Sequence, residues 1–157
     1  MIKRILLAAI CALFFSNIQA QCPGCVPAIT CAAQKPTGGL CRDNLEGMVA
    51  HSYDKDITFY MPKTISCAAI GMGGSCTTVD LKQIKIASVI SPAGISNTSN
   101  KALYNILAGD TLGCVKFCGT PLVAGTHIVT INLLANITAH GTPAGDVDIT
   151  DQPFPYY

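Results

Sequence analysis

Two thiols in one short stretch, Cys114 and Cys118 of GCVKFC, set the tightest limit on how this chain folds. If CVKFC is a strand, Val115 and Phe117 face the core while Cys114, Lys116 and Cys118 share the other side. The two α-carbons then stand about 13 Å apart, whereas a disulfide needs them within about 7 Å. In an extended strand they cannot pair with each other, so each seeks a partner elsewhere. The partners on offer are Cys22, Cys25, Cys31 and Cys41 near the N-terminus, and Cys67 and Cys76 in the middle. At least one bridge is therefore expected to tie the N-terminal stretch to the body of the fold. Cys67–Cys76, across GMGG, is the expected local pair.

The expectation of oxidised thiols comes from the first twenty residues. Lys3 and Arg4 precede an apolar run, Ile5 to Phe15, that is too short to span a bilayer, and Ala20 supplies a small residue for cleavage. Residues 1–20 read as a secretory signal peptide, which leaves 137 residues of the 157. Of nine cysteines, Cys11 lies in the leader and eight remain. An even number behind an export signal implies a disulfide framework, with roughly a hundred connectivities open from sequence alone. The expected location is secreted, periplasmic or cell-surface.

Beyond the leader, eight basic side chains face nine acidic ones, with no block of like charge. That balance argues against a nucleic-acid surface and against an anionic membrane surface. No later segment is long and apolar enough to span a membrane. Aromatics are 6% and Trp is absent, which disfavours an aromatic platform for sugars.

CPGC, residues 22–25, has three readings. A redox dithiol needs its first Cys at a helix N-terminus, where the thiol pKa falls. No strand precedes it, and Pro23, Gly24 and Pro27 disfavour a helix. Zinc binding by Cys22, Cys25, Cys31 and Cys41 would use C-x2-C-x5-C-x9-C, not the two close pairs of structural zinc sites. A disulfide staple is the expected role, and no cofactor is expected.

Residues 21–46 are rich in Cys, Pro and Gly with no period of 2 or 3.6, and read as an irregular, disulfide-held segment. From residue 47 the pattern becomes β. Residues 56–62 alternate Ile57, Phe59 and Met61 against Thr58 and Tyr60, and Pro62 ends the run. In VDLKQIKIASVI the alternation slips at Lys82-Gln83, which predicts a β-bulge. Residues 126–140 give the clearest signal: Val129, Ile131, Leu133, Ala135 and Ile137 alternate with Thr130, Asn132, Asn136 and Thr138. That is a long strand with one face on a core and one in water. A short helix is expected around residues 101–107, and residues 141–157 read as a C-terminal tail. Short strands punctuated by Gly and Pro, without βαβ spacing, indicate an all-β antiparallel sandwich over residues 47–140.

SPAGIS (91–96) followed by GCVKFCGTPLVAGTHIVTINL (113–133) resembles an Ig-like domain family of bacterial secreted and cell-surface proteins. Its pattern runs roughly LPAGLS, then G-x-I-x-GTP-x-x-x-GTY-x-V-x-V, and its opening G-x-x-Y-x-x-x-I-x-F is matched from Gly47 through Tyr53 and Ile57 to Phe59. The resemblance covers residues 47–140. It departs in having His127 at an aromatic position, inserted cysteines, and no tandem array. It implies an Ig-like sandwich with a general extracellular role and no catalytic residues.

Catalytic signals are sparse. His51, Ser52 and Asp54 lie close in sequence but where an opening strand is expected, and no G-x-S-x-G is present. His127 is expected to be packed, in the place of an aromatic. No enzyme activity is expected. Asp146, Asp148 and Asp151 are candidate calcium ligands by residue type, although their spacing matches no EF-hand and no metal is expected. Asn97 and Asn136 open N-x-[ST] sequons, and the bacterial resemblance argues against sugars there. Binding loops are expected at the ends of the sandwich: residues 91–100, with Ser91, Asn97 and Asn100, and residues 109–113, beside Asp110. The expected function is a secreted, non-catalytic module for binding, adhesion or extracellular structure, meeting an unidentified extracellular protein or polysaccharide. The alternative is a small disulfide-rich effector or inhibitor whose Cys-rich N-terminal segment meets a partner protein.

Overall fold

The computed structural model describes residues 22–42, 45–72 and 74–154; the leader read over residues 1–20 lies outside them. A one-turn helix α1 (Cys31–Gln34) precedes nine strands: β1 (Gly39–Arg42), β2 (Tyr53–Tyr60), β3 (Thr64–Ser66), β4 (Thr78–Ile90), β5 (Ile95–Ser99), β6 (Leu103–Asn105), β7 (Leu112–Gly119), β8 (Thr130–Thr142) and β9 (Gly145–Phe154). One sheet runs β1-β2-β7-β5. The other runs β3-β4-β8-β9, with β6 also paired to β4. All pairings are antiparallel, and the two sheets pack as the all-β sandwich expected from the alternating runs.

The core follows from that alternation. Ile57 and Phe59 of β2 and Val115 and Phe117 of β7 are buried against Val79, Leu81 and Ile84 of β4 and Leu133, Ala135, Ile137 and Ala139 of β8. The β4–β8 register shifts between Leu81 and Gln83. The extra residue lets Leu81 and Ile84 both point inward, which is why the sequence phase slips there. Tyr104 of β6 is fully buried and meets Phe59 edge-on, ring centroids 5.3 Å apart at 76°, a favoured aromatic geometry.

On the outward side of β7, Cys118 bonds Cys22 and Cys114 bonds Cys25, with α-carbons 5.5 and 6.1 Å apart. Cys31–Cys41 fastens α1 to β1, and Cys67–Cys76 closes the β3–β4 connection. Cys114 and Cys118 do take separate partners, and both partners come from CPGC. The N-terminal stretch thus lies against the outer face of the first sheet. Ala28 N–H donates to Thr58 Oγ1 at 3.0 Å, which satisfies a buried threonine hydroxyl on that face. Between the bridged cysteines, Lys116 is held 2.7 Å from Asp54 and 3.3 Å from Asp56. The hydrogen bond to Asp54 raises its pKa.

Three expectations need correction. Residues 21–46 are not wholly irregular: β1 joins the first sheet opposite Ile57 to Tyr60. Four residues are too few to show a period, and a bridge rather than a long apolar face secures them. Residues 141–157 are not simply a tail, because β9 turns back through Pro143-Ala144 and pairs with β8. Val147 and Ile149 alternate with acidic residues there, a strand signal that the aspartates obscured. The helix expected around residues 101–107 is β6 and a turn, and Tyr104 enters the core. Its apolar residues are too few to form a helical face, while the edge of β4 offers backbone partners.

The two long-range bridges span 96 and 89 residues. By chain-entropy accounting either alone stabilises by about 4–5 kcal/mol, but the second closes only a small extra ring and adds about 2–3 kcal/mol. The pair is therefore partly redundant. Urea unfolding under non-reducing conditions should show about 2–3 kcal/mol lost in C22A/C118A or in C25A/C114A. All four substitutions together should cost about 7 kcal/mol, more than the sum of the two. Strict additivity would contradict a shared clamp.

Candidate functional site

Two sequence motifs meet at one end of the sandwich. Gly94 of SPAGIS (φ +86°) immediately precedes β5, and Gly119 of GTP (φ +136°) ends β7. Thr120 N–H donates to Gly94 O at 2.9 Å and Leu122 N–H to Ala93 O at 3.2 Å. A Cβ on Gly94 would collide with Thr120 O, and one on Gly119 with Gly94 O. Both positions need a left-handed backbone and a close approach that only glycine supplies. On the other side, Ala50 N–H donates to Pro121 O at 3.0 Å, and Tyr53 OH donates to Leu45 O at 2.9 Å. Burial raises the Tyr53 pKa.

These pinned segments enclose a cleft of about 390 Å³. Phe117 of β7, Ile95 of β5 and Val129, which leads into β8, reach it from the sandwich. Leu45, Met48 and Val49 form one wall; Pro92, Pro121, Val123 and Ala124 form another. Among the described residues, no Asp, Glu, Lys or Arg lines it. Ten large apolar side chains are exposed among the described residues, and five of them (Met48, Val49, Leu122, Val123 and Ile128) belong to the loops around this end. His127 is exposed on the lining, and its Nε2 donates to Val123 O at 3.1 Å. It is therefore not packed in place of an aromatic, as the sequence led us to expect. The loop after Gly119 carries it outward before β8 begins.

The polar residues expected to bind lie elsewhere or are already engaged. Residues 91–100 are not one open loop, because their second half is β5. Asn97 donates to Ser91 Oγ at 2.9 Å and to Val89 O at 3.4 Å. Asn100 Oδ1 accepts from Tyr104 OH at 2.7 Å and from Cys114 N–H at 2.9 Å. Burial pushes the Tyr104 pKa up to about 12, so the phenol stays protonated and donates. Asp110 pairs with Lys101 at 2.6 Å, and that bond holds its carboxyl below the usual range. Of these four, Ser91 alone sits beside a cleft residue in the chain, Pro92.

The other candidates are also tied into the fold. Asp146 lies 2.8 Å from His140 Nδ1, with Asp80 3.1 Å from Nε2. These two hydrogen bonds, the one to Asp146 first, raise the His140 pKa. Asp148 pairs with Lys82 at 2.7 Å and accepts from Thr138, and its pKa is lowered accordingly. Asp151 sits at a β8–β9 irregularity with φ +51°, its N–H donating to Asn136 Oδ1 at 2.9 Å. Among the described residues no three His, Cys, Asp or Glu converge on a metal-sized site, and all eight described cysteines are in disulfides. The Nδ2 of both sequon residues is engaged, Asn136 donating to Gln83 at 3.2 Å. His51 and Ser52 are exposed at the lead-in to β2, and Asp54, exposed within β2, is directed to Lys116.

No protein family, curated protein or solved structure matches the chain. The cleft therefore rests on its own geometry. The signal for the cleft in the sequence is PLVAGTHIV, a largely apolar stretch without alternation that a β-fold leaves on its surface.

Asn100 should behave as a structural residue. Replacing it with Ala strands a buried phenol and the Cys114 N–H, at about 1–3 kcal/mol for each unsatisfied group. Thermal and urea unfolding of Asn100→Ala should show about 2–6 kcal/mol of destabilisation. A variant of wild-type stability would return Asn100 to the list of binding candidates.

Proposed function

We propose that this protein is an exported, non-catalytic Ig-like module for binding or adhesion, and that it makes contact through the end of the sandwich formed by residues 45–53, 91–95 and 120–129. The observation that carries this reading is the apolar cleft, with no charged side chain among its described lining residues, ringed by exposed apolar side chains on a scaffold braced by four disulfides. Exposed apolar clusters of this kind mark interaction sites. The sequence resemblance to an extracellular family and the read leader support the same compartment. Four disulfides fit an oxidising environment, and no helix among the described residues is long and apolar enough to cross a membrane.

A second reading has its own observation. Val26 and Ile29 are 84% and 82% exposed on a stretch fixed by Cys25–Cys114 and Cys31–Cys41. A rigid loop presenting two aliphatic side chains suits an effector or inhibitor that docks through its N-terminal segment.

Retention of the purified, oxidised protein on the surface of cells of its source organism separates the two. The proposal expects Val123→Lys to reduce retention at least tenfold, while Val26→Asp/Ile29→Asp and Leu107→Lys, at the far end, leave it unchanged. Loss with Val26→Asp/Ile29→Asp and not with Val123→Lys would replace the first reading by the second.

A further inference from the structure

The cleft deepens the binding reading above, on which this inference rests, because its chemistry restricts what can fill it. We infer that it takes a small uncharged ligand with an aromatic or branched aliphatic body. Three observations converge. The volume, about 390 Å³, lies in the range of about 300–1,000 Å³ typical of small-molecule sites. The cleft also reaches inward: Phe117, which lines it, is 2% exposed and belongs to the core shared by both sheets. A ligand there would be held from several sides, as by a pocket, and not merely laid on a face.

Charge is the second restriction. With no acidic side chain, lysine or arginine among the described lining residues, an ionised ligand would lose its hydration without gaining a partner from them. A polysaccharide would likewise need several polar side chains for its hydroxyls, and the lining offers few beyond His127 and Tyr53. Both are already committed, His127 Nε2 to Val123 O and Tyr53 OH to Leu45 O. When the His127 ring is neutral, Nε2 carries the proton, which leaves Nδ1 as an acceptor. One hydroxyl or amide N–H on an otherwise apolar ligand would match it.

Preorganisation is the third. The walls are fastened by Ala50–Pro121, Thr120–Gly94 and Leu122–Ala93 backbone bonds, so binding does not first have to order them. A preformed apolar cleft is a favourable place for an apolar molecule.

N-phenyl-1-naphthylamine, an uncharged fluorescent aromatic, is the probe that tests this on the intact oxidised protein. The expected result is a saturable fluorescence rise at one equivalent, with backbone amide shifts confined to residues 45–53, 92–95 and 117–129. Val123→Lys and Val49→Lys should each weaken binding at least tenfold, and Leu107→Lys should not. Absence of saturable binding, or binding indifferent to Val123→Lys, overturns the inference. Sedimentation that shows a dimer dispersed by Val123→Lys also overturns it, by making a second copy the occupant. If the probe fails while Val123→Lys still abolishes retention on cells, the ligand class is wrong and the binding end stands. If both fail, the binding reading fails with it.

Discussion

Two disulfides between a three-residue step, Cys22 to Cys25, and a four-residue step on one strand, Cys114 to Cys118, hold the rest of this structure in register. β7 is a central strand of its sheet, with β2 on one side and β5 on the other. Fixing the outward face of β7 therefore fixes the strand that carries Val115 and Phe117 into the core. It also brings in the N-terminal stretch and, through Cys31–Cys41, the edge strand β1. A chain of this length buries a modest core, and cross-links that close most of its length reduce the entropy of the unfolded state where additional apolar area is scarce.

The same strand positions the cleft. β7 ends at Gly119, whose backbone meets Gly94 just before β5. That contact turns the following residues outward, so PLVAGTHIV passes over the end of the sandwich before β8 begins. Thus one strand is cross-linked on its outer face, packed on its inner face, and opens at its C-terminal end into an apolar cavity. The opposite end exposes Leu107 but is otherwise marked by paired polar groups: Lys101 with Asp110, Asn100 with Tyr104, and His140 between Asp80 and Asp146. The asymmetry between the two ends is the main physical argument for where contact is made.

Much of the scaffold was legible in the chain. Period-2 alternation marked β2 and β8, a phase slip marked the β4 bulge, and the spacing of Cys114 and Cys118 excluded their mutual bridge. Less was legible where the signal is short or non-local. β1 has four residues, and β9 alternates Val147 and Ile149 with aspartates that resemble an exposed tail. The candidate site was the least legible part. Asn97, Asn100 and Asp110 are polar residues of the kind loops use for recognition, yet their partners lie 4–14 positions away along the chain and become visible only in three dimensions. The cleft is built mostly from apolar residues whose exposure depends on how loops cross, a property no periodicity encodes.

The register of this fold depends on which cysteines are joined. Non-reducing peptide mapping of the purified protein, with fragmentation to resolve neighbouring thiols, tests it most directly. Trypsin cuts at Lys116, between Cys114 and Cys118, and so separates the two ends of the clamp. The predicted result is Cys22 joined to Cys118 and Cys25 to Cys114, with Cys31–Cys41 and Cys67–Cys76 intact. A Cys22–Cys25 bridge, or free thiols at Cys114 and Cys118, would contradict the clamp and the account built on it.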